Sequence, residues 1–232
     1  MNGLEKSYKF VRDTIDRSAR EAGRSPQSVK LVAVSKEATA EQVVTLAALG
    51  HTDFGENRLP QGLKKLRSVN NPALQWHMIG RIQTNKIKFL NDFSLIHSLD
   101  RWKLAEKLSL YAQQQGVVFD CLVQVNVSRD RAKAGVDLSA TDDFVQDAAA
   151  LEGLRILGLM TITAEDADTK TTRGWFDLLA DKYTRLKERE FPAGSAMEWL
   201  SMGMSNDYPE AVAAGANIVR IGSAIFREGR DL

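Results

Sequence analysis

Eight short apolar runs, separated by longer stretches of helical periodicity, constrain the fold of this 232-residue chain more than any other feature. The runs are Leu31–Lys36, Asp53–Asn57, Leu74–Gly80, Phe93–Leu99, Cys121–Ser128, Arg155–Thr163, Met197–Ser205 and Asn217–Phe226. Several are near-continuous Val, Ile and Leu instead of clean alternations, as strands covered on both faces are. The stretches between them carry apolar stripes. Ala40–Leu49 places Val43, Val44, Leu46 and Ala47 on one helical face and meets Gly50 at its natural stop. Pro60–Leu66, Asn85–Leu90, Arg101–Gln115, Asp142–Leu151, Arg173–Glu190 and Asn206–Ala214 fill the other gaps. A helix over Gly3–Ala22 precedes the first run, and Gly23-Arg24-Ser25-Pro26 breaks it.

Strands alternating with helices give a parallel sheet with right-handed crossovers, and eight is the number that closes into a barrel. An open doubly wound sheet carries a glycine-rich loop after its first strand. Here that position reads Ser35-Lys36-Glu37-Ala38, without glycine. The expected fold is therefore α/β, one (β/α)8 TIM barrel over residues 1–232 with an extra N-terminal helix. Only six residues follow the last run, so the N-terminal helix is expected to stand in for the eighth outer helix.

Composition narrows the function classes. Basic residues (31) nearly balance acidic ones (30), so no whole-molecule field draws the chain to nucleic acid or an anionic membrane. Cys121 is the single cysteine, which excludes an intrachain disulfide and a cysteine metal cage. The three histidines, His51, His77 and His97, lack metal-ligand spacing. No run approaches the roughly 18 apolar residues of a membrane span, and Met1–Lys6 has no apolar leader segment behind it. The expectation is a cytoplasmic protein.

A barrel's site lies at the C-terminal ends of its strands. Lys36 ends the first run, and alternation places it on the face of Val32 and Val34. Either it points into the barrel mouth from apolar walls, where desolvation suits a Schiff-base amine, or it reaches for solvent at a strand end. The seventh run ends Ser201-Met202-Gly203-Met204-Ser205, and the eighth contains Arg220-Ile221-Gly222-Ser223. Loops after the last two strands of barrels bind phosphate through backbone amides and hydroxyls. Gly203 and Gly222 permit close backbone approach, Ser205 and Ser223 offer hydroxyls, and a helix from near Asn206-Asp207 aims its N-terminal amides there. A lysine and a phosphate cup in one barrel mouth suggest a phosphorylated aldehyde cofactor. Arg220 shares parity with Gly222, so its guanidinium points inward, toward a pyridine nitrogen, a carboxylate, or an acidic residue of the barrel. Asn57, His77, Ser98 and Met160 are read first as buried, hydrogen-bonded or packing residues, and Cys121 as a small buried hydrophobe near the barrel bottom.

The motifs Ala33-Val34-Ser35-Lys36, Phe54-Gly55-Glu56-Asn57, Trp76-His77-Met78-Ile79-Gly80, Gln83-Thr84-Asn85-Lys86, Gly158-Leu159-Met160, Gly203-Met204-Ser205 and Val219-Arg220-Ile221-Gly222 resemble those of the pyridoxal phosphate homeostasis protein family. These are single-domain relatives of the alanine racemase N-terminal barrel, and the resemblance runs from about Leu4 to Phe226. It implies that Lys36 holds pyridoxal 5′-phosphate (PLP) as an internal aldimine. It also implies that Gly203, Met204, Ser205, Gly222 and Ser223 bind the phosphate and that Arg220 lies near the pyridine nitrogen. Asn57, His77 and Ser201 match positions around the pocket. Three departures stand out: Pro60-Gln61 replaces a frequent Gln-Glu, Ser223 replaces a common threonine but keeps the hydroxyl, and Arg227-Glu228 follows Phe226 where glycine is usual.

The resemblance implies a PLP-binding protein of intracellular vitamin B6 and amino-acid balance, without established turnover, with PLP-dependent apoenzymes as recipients. The alternative is a PLP-dependent amino-acid racemase. A racemase needs a base on each face of the substrate α-carbon. Lys36 serves one face, and in racemases the other base comes from a further domain and a partner subunit, whereas this chain stops after the eighth run. An arginine at the pyridine nitrogen also weakens the cofactor as an electron sink. A third reading, a phosphosugar or flavin barrel, explains the phosphate cup but not the motifs. A monomer is expected.

Overall fold

The structure, a computed structural model, describes residues 3–128, 130, 133–164, 167–192 and 194–227. Each of the eight apolar runs overlaps a strand: β1 (Lys30–Val34), β2 (Asp53–Glu56), β3 (Gln75–Met78), β4 (Leu95–Leu99), β5 (Phe119–Asn126), β7 (Leu154–Met160), β8 (Trp199–Ser201) and β9 (Ile218–Ile221). Every neighbour is parallel, and pairing of β4 with β5 and of β1 with β9 closes the ring. The expected (β/α)8 barrel is therefore present. A two-residue strand without a counterpart in the sequence reading, β6 (Val136–Asp137), pairs only with β5 and lies outside the ring.

The outer helices are α1 (Gly3–Glu21), α2 (Ala40–Ala48), α3 (Leu59–Val69), α4 (Trp102–Gln115), α5 (Thr141–Ala149), α6 (Thr169–Lys187), α7 (Tyr208–Ala213) and α8 (Ser223–Phe226). Their starts follow local chemistry. Thr39 and Gln42 form a reciprocal capping box at α2, and the Asp168 side chain accepts from the Thr171 amide at α6. Helix α1 buries Leu4, Val11, Ile15 and Ala19 and packs against α7 and α8, in the place left by the short final helix. Just beyond it, Arg24 Nη1 donates to the carbonyls of Val212 and Ala216, each at 2.9 Å, and so caps the C-terminal end of α7.

Two expectations are corrected. Asn217–Phe226 is not strand throughout: the strand ends at Ile221, and Ala224–Phe226 keep their apolar character because they form a single helical turn that buries Ile225. Asn85–Leu90 is not an α-helix but a 3-10 segment over Thr84–Phe89, where Ile87 is the one buried residue of a stretch too short for an apolar stripe.

The large core lies between barrel and helices. A smaller one fills the barrel interior, with Val32, Leu95, Leu122, Leu157, Met160 and Ile218. Leu157 and Met160 are three apart, which plain alternation forbids. Cys121 pairs with Ile156 and Leu122 with Gly158, so Leu157 is an extra residue, a bulge that shifts parity. Gly158 has φ +148°, and a Cβ there would lie 1.9 Å from the Trp199 carbonyl oxygen. With so few apolar residues inside, the remaining interior volume is polar, and that polar column leads to the site.

Candidate functional site

A cavity of about 930 Å³ opens where the strands end. Among the predicted residues, Lys36, Asn57, Met204, Ser205, Arg220, Gly222 and Ser223 line it. Gly203, His77 and Ser201 are buried behind its wall.

Lys36 lies two residues beyond β1, on a turn. It faces the cavity as parity required, but it is exposed and not enclosed by apolar walls. Its anchoring is indirect. The preceding Ser35 is buried, takes its backbone N–H to the Gly55 carbonyl (2.9 Å) and donates its hydroxyl to Glu56 Oε1 (2.7 Å). Lys65, on α3, donates to the same Glu56 oxygen at 2.8 Å and to the Ser35 carbonyl. Glu56 is fully buried, so this ion pair clamps the root of the Lys36 turn against β2. Sequence reasoning missed Glu56 and Lys65. They are nine residues apart across a strand–helix turn, and no spacing rule joins a strand end to the middle of the following helix.

Arg220, on β9, is also inward, and it is buried. Its Nη1 donates to Ser201 Oγ at 2.6 Å and its Nη2 to the Thr161 carbonyl at 2.8 Å. Among the described residues no carboxylate holds it directly. Burial pulls its pKa down to about 10, partly offset by the nearby Asp207 charge, so it remains a cation at neutral pH. The bonds do not stop at Ser201. Its Oγ lies 2.9 Å from His97 Nδ1, His97 Nε2 lies 2.9 Å from His77 Nδ1, and His77 Nε2 lies 3.1 Å from Asp53 Oδ1. Asp53 also accepts from Lys30 (2.7 Å) and Thr52 (2.7 Å). Burial alone would raise the Asp53 carboxyl, but bonds from His77, Lys30 and Thr52 outweigh it and hold the pKa well below the carboxylate range. Burial lowers both histidines, which therefore stand neutral. His51, whose Nε2 lies 2.8 Å from the Asp53 carbonyl, falls to about 4 for the same reason.

The loops after β8 and β9 form the third part. Gly203 has φ +93°, and its Cβ would meet Ala211 at 2.6 Å, so glycine lets the loop turn tightly over α7. Met204 lines the cavity, but its N–H is already donated to Asp207 Oδ1 at 2.6 Å. Asp207 also accepts from Thr163 Oγ1 (2.7 Å). The Ser205 hydroxyl accepts from the Ala224 N–H at 3.3 Å, which ties the two loops together. A Cβ on Gly222 would stand 3.0 Å from the Val34 carbonyl oxygen, so the absent side chain leaves an open cradle beside β1. A lysine amine, a fixed guanidinium and hydroxyl-bearing loops make a donor set suited to an anion carrying an amine-reactive group.

The softer candidates have ordinary roles. Ser98 donates to the Gly80 carbonyl at 2.6 Å, Met160 packs in the inner core, and Cys121 is buried in the outer one, its thiol pushed up by desolvation. Gln124, Thr163 and Glu210 also line the cavity and were not anticipated; Gln124, which alternates with Asn126 and Ser128 between valines, was the one visible signal. Among the described residues no group of three or more His, Cys, Asp or Glu side chains could hold a metal ion, and no helix is long and apolar enough to cross a membrane.

Comparison with known proteins agrees with this geometry. The profile of the alanine racemase N-terminal domain matches residues 12–228. The pyridoxal phosphate homeostasis protein of Aquifex aeolicus is 36% identical over 229 residues, 98% of this chain and 99% of that one. The protein of the same name from Escherichia coli K12 is 34% identical, with 97% of each chain covered. The solved structure of PipY from Synechococcus elongatus with PLP bound superposes at a TM-score of 0.77 and 32% identity, covering 92% of this chain and all of that one.

Proposed function

The chain belongs to the alanine racemase N-terminal domain family and, within it, to the pyridoxal phosphate homeostasis proteins, and on that premise we propose that its cavity binds PLP, with Lys36 as the covalent attachment point, to hold and supply the cofactor. The observation that carries the reading is the pairing in one cavity of an accessible amine with a buried, fixed guanidinium and two joined hydroxyl-bearing loops.

Each residue has a distinct task. Bound PLP supplies an aldehyde that reacts with primary amines and a phosphate that needs hydrogen-bond donors. Lys36 presents Nζ in the cavity while the Glu56–Lys65 pair keeps its turn in place. Ser205 and Ser223, with the Gly222 cradle, would hold the phosphate. Met204 offers its side chain, since its amide is engaged. Arg220 would face the pyridine nitrogen as a permanent donor, and a cation there would keep that nitrogen unprotonated. Electron withdrawal from the ring is then weak, which favours holding the cofactor over efficient racemisation. Asn57 closes the β2 side, while His77, Ser201 and Gly203 act from behind the wall.

The recipients are PLP-dependent apoenzymes, and the protein works as a monomer in the cytoplasm. Two features support the monomer and the compartment: among the described residues the exposed large apolar side chains are spread over α1, α2, α4, α6 and loops, and the one thiol is buried. The test is a titration of the purified protein with PLP, followed by absorbance and equilibrium dialysis. One equivalent bound with a shifted spectrum supports the reading. A chain that binds no PLP overturns it.

A further inference from the structure

The polar column behind Arg220 runs through the barrel from the cavity to Lys30 and Asp53 near the opposite, N-terminal ends of the strands. With both rings neutral, its proton positions follow from valence. Arg220 only donates, so Ser201 Oγ accepts from it and directs its own hydrogen to His97 Nδ1. A neutral His97 accepting at Nδ1 carries its hydrogen on Nε2 and donates it to His77 Nδ1. His77 then carries its hydrogen on Nε2 and donates to the Asp53 carboxylate. Each ring nitrogen and the Ser201 hydroxyl then has its partner, and the chain has one direction: arginine, serine, histidine, histidine, aspartate.

The ends enforce that direction. Asp53 is locked as an acceptor by Lys30 and Thr52, and Arg220 is a cation fixed by Thr161. An added proton on the histidine pair would reverse the His97–Ser201 bond and bring an imidazolium toward Arg220. His97 faces His77 and Arg220, and His77 faces Asp53 and Lys30. Among the described residues no carboxylate bonds to His97 to stabilise such a charge.

We infer that Asp53, His77, His97 and Ser201 are positioning residues for Arg220, a one-way hydrogen-bond relay that carries the orientation set at Asp53 to the guanidinium facing the cavity. For function the inference rests on the reading of the cavity as a PLP site, but the relay itself does not. Its consequence is that the guanidinium is pre-oriented before any ligand enters, so the column acts on how PLP is held and on its spectrum without touching it.

Two measurements test it. In nitrogen NMR of the whole protein near about pH 7, with three histidines to assign, His77 and His97 are expected as neutral rings protonated at Nε2. A ring protonated at Nδ1, or an imidazolium, overturns the relay whether or not PLP binds. In the second, His97→Leu is expected to weaken PLP retention about tenfold, the effect of leaving one buried hydroxyl without its acceptor, and to shift the bound absorption maximum. His97→Gln, whose amide can accept from Ser201 and donate to His77, is expected to recover retention to within about threefold. A folded His97→Leu with wild-type spectrum and retention overturns the positioning role. If His97→Leu does not fold, His97→Gln and the wild-type ring signature still decide. If the wild type binds no PLP while the ring signature holds, the function proposed above fails and the relay stands.

Discussion

Lys36 and Arg220 face one cavity from neighbouring strands, β1 and β9, yet the protein holds them by opposite means. Lys36 sits on a turn and is exposed; only the residue before it is clamped, by Glu56 and Lys65. Arg220 is buried within its strand, and both guanidinium nitrogens that bond are tied to the barrel, one of them to a column ending at Asp53. The difference matches the two tasks proposed for them. A lysine that forms and releases a covalent bond needs freedom at its tip and a fixed root. A charge that sets how a ring is held needs the reverse, orientation fixed beforehand and no freedom.

The sharpest way to separate the two is to remove one at a time. Lys36→Ala is expected to abolish covalent PLP labelling, a loss of at least about a hundredfold, while the Arg220 side keeps reversible binding within about ten- to a hundredfold of wild type. Loss of reversible binding as well would mean that the two cations do not act separately. Next in size is Lys65→Met. It leaves the Glu56 carboxylate buried with Ser35 as its hydrogen-bond partner, and about 3 kcal/mol of stability is expected to go, read by denaturant midpoint. The Arg220 wall should be unaffected, so His77 and His97 ring signals should stay in place. A third substitution, Arg220→Lys, keeps the charge but cannot reach both Ser201 and the Thr161 carbonyl, and about tenfold weaker retention of PLP is expected with the Lys36 label still formed.

A further effect, spread over both sides of the barrel, is on acid stability. His51, His77 and His97 are neutral in the fold with lowered pKa values, so the unfolded chain binds more protons than the folded one below about pH 6.5. Stability is therefore expected to fall with acidification, and for His51 the loss extends from about pH 6.5 to its folded value of about 4, at about 1.4 kcal/mol per pH unit. Melting temperatures across this range check it. His51→Leu should flatten the slope, and an unchanged slope would show that burial of His51 does not depress its titration.

The barrel was legible because parallel strands covered on both faces must be apolar along their length, and eight such runs separated by amphipathic stretches admit few closures. The misread end of the last strand has a plain cause: Ala224, Ile225 and Phe226 are as apolar in a helical turn packed near α1 as they would be in a strand. In the site, Lys36 and Arg220 were legible through parity, because each is two or four residues from a residue known to face inward. The column was not. Asp53, His77, His97 and Ser201 come from four strands, and only the register brings Gly55 level with His77, and His77 level with Leu95, so that the two rings meet. A single strand shows each of them as a polar residue beside apolar ones, which is how a satisfied core residue also looks. The Leu157 bulge adds a second obstacle, since parity counted through it gives the wrong face.

The division of labour between a free-tipped lysine and a fixed arginine is tested most directly by trapping PLP on the wild-type protein with borohydride and mapping the modified peptide by mass spectrometry. The expected result is one PLP equivalent per chain, recovered on the peptide containing Lys36. Modification of a different lysine, or an unmodified chain after exposure to excess PLP, would contradict it.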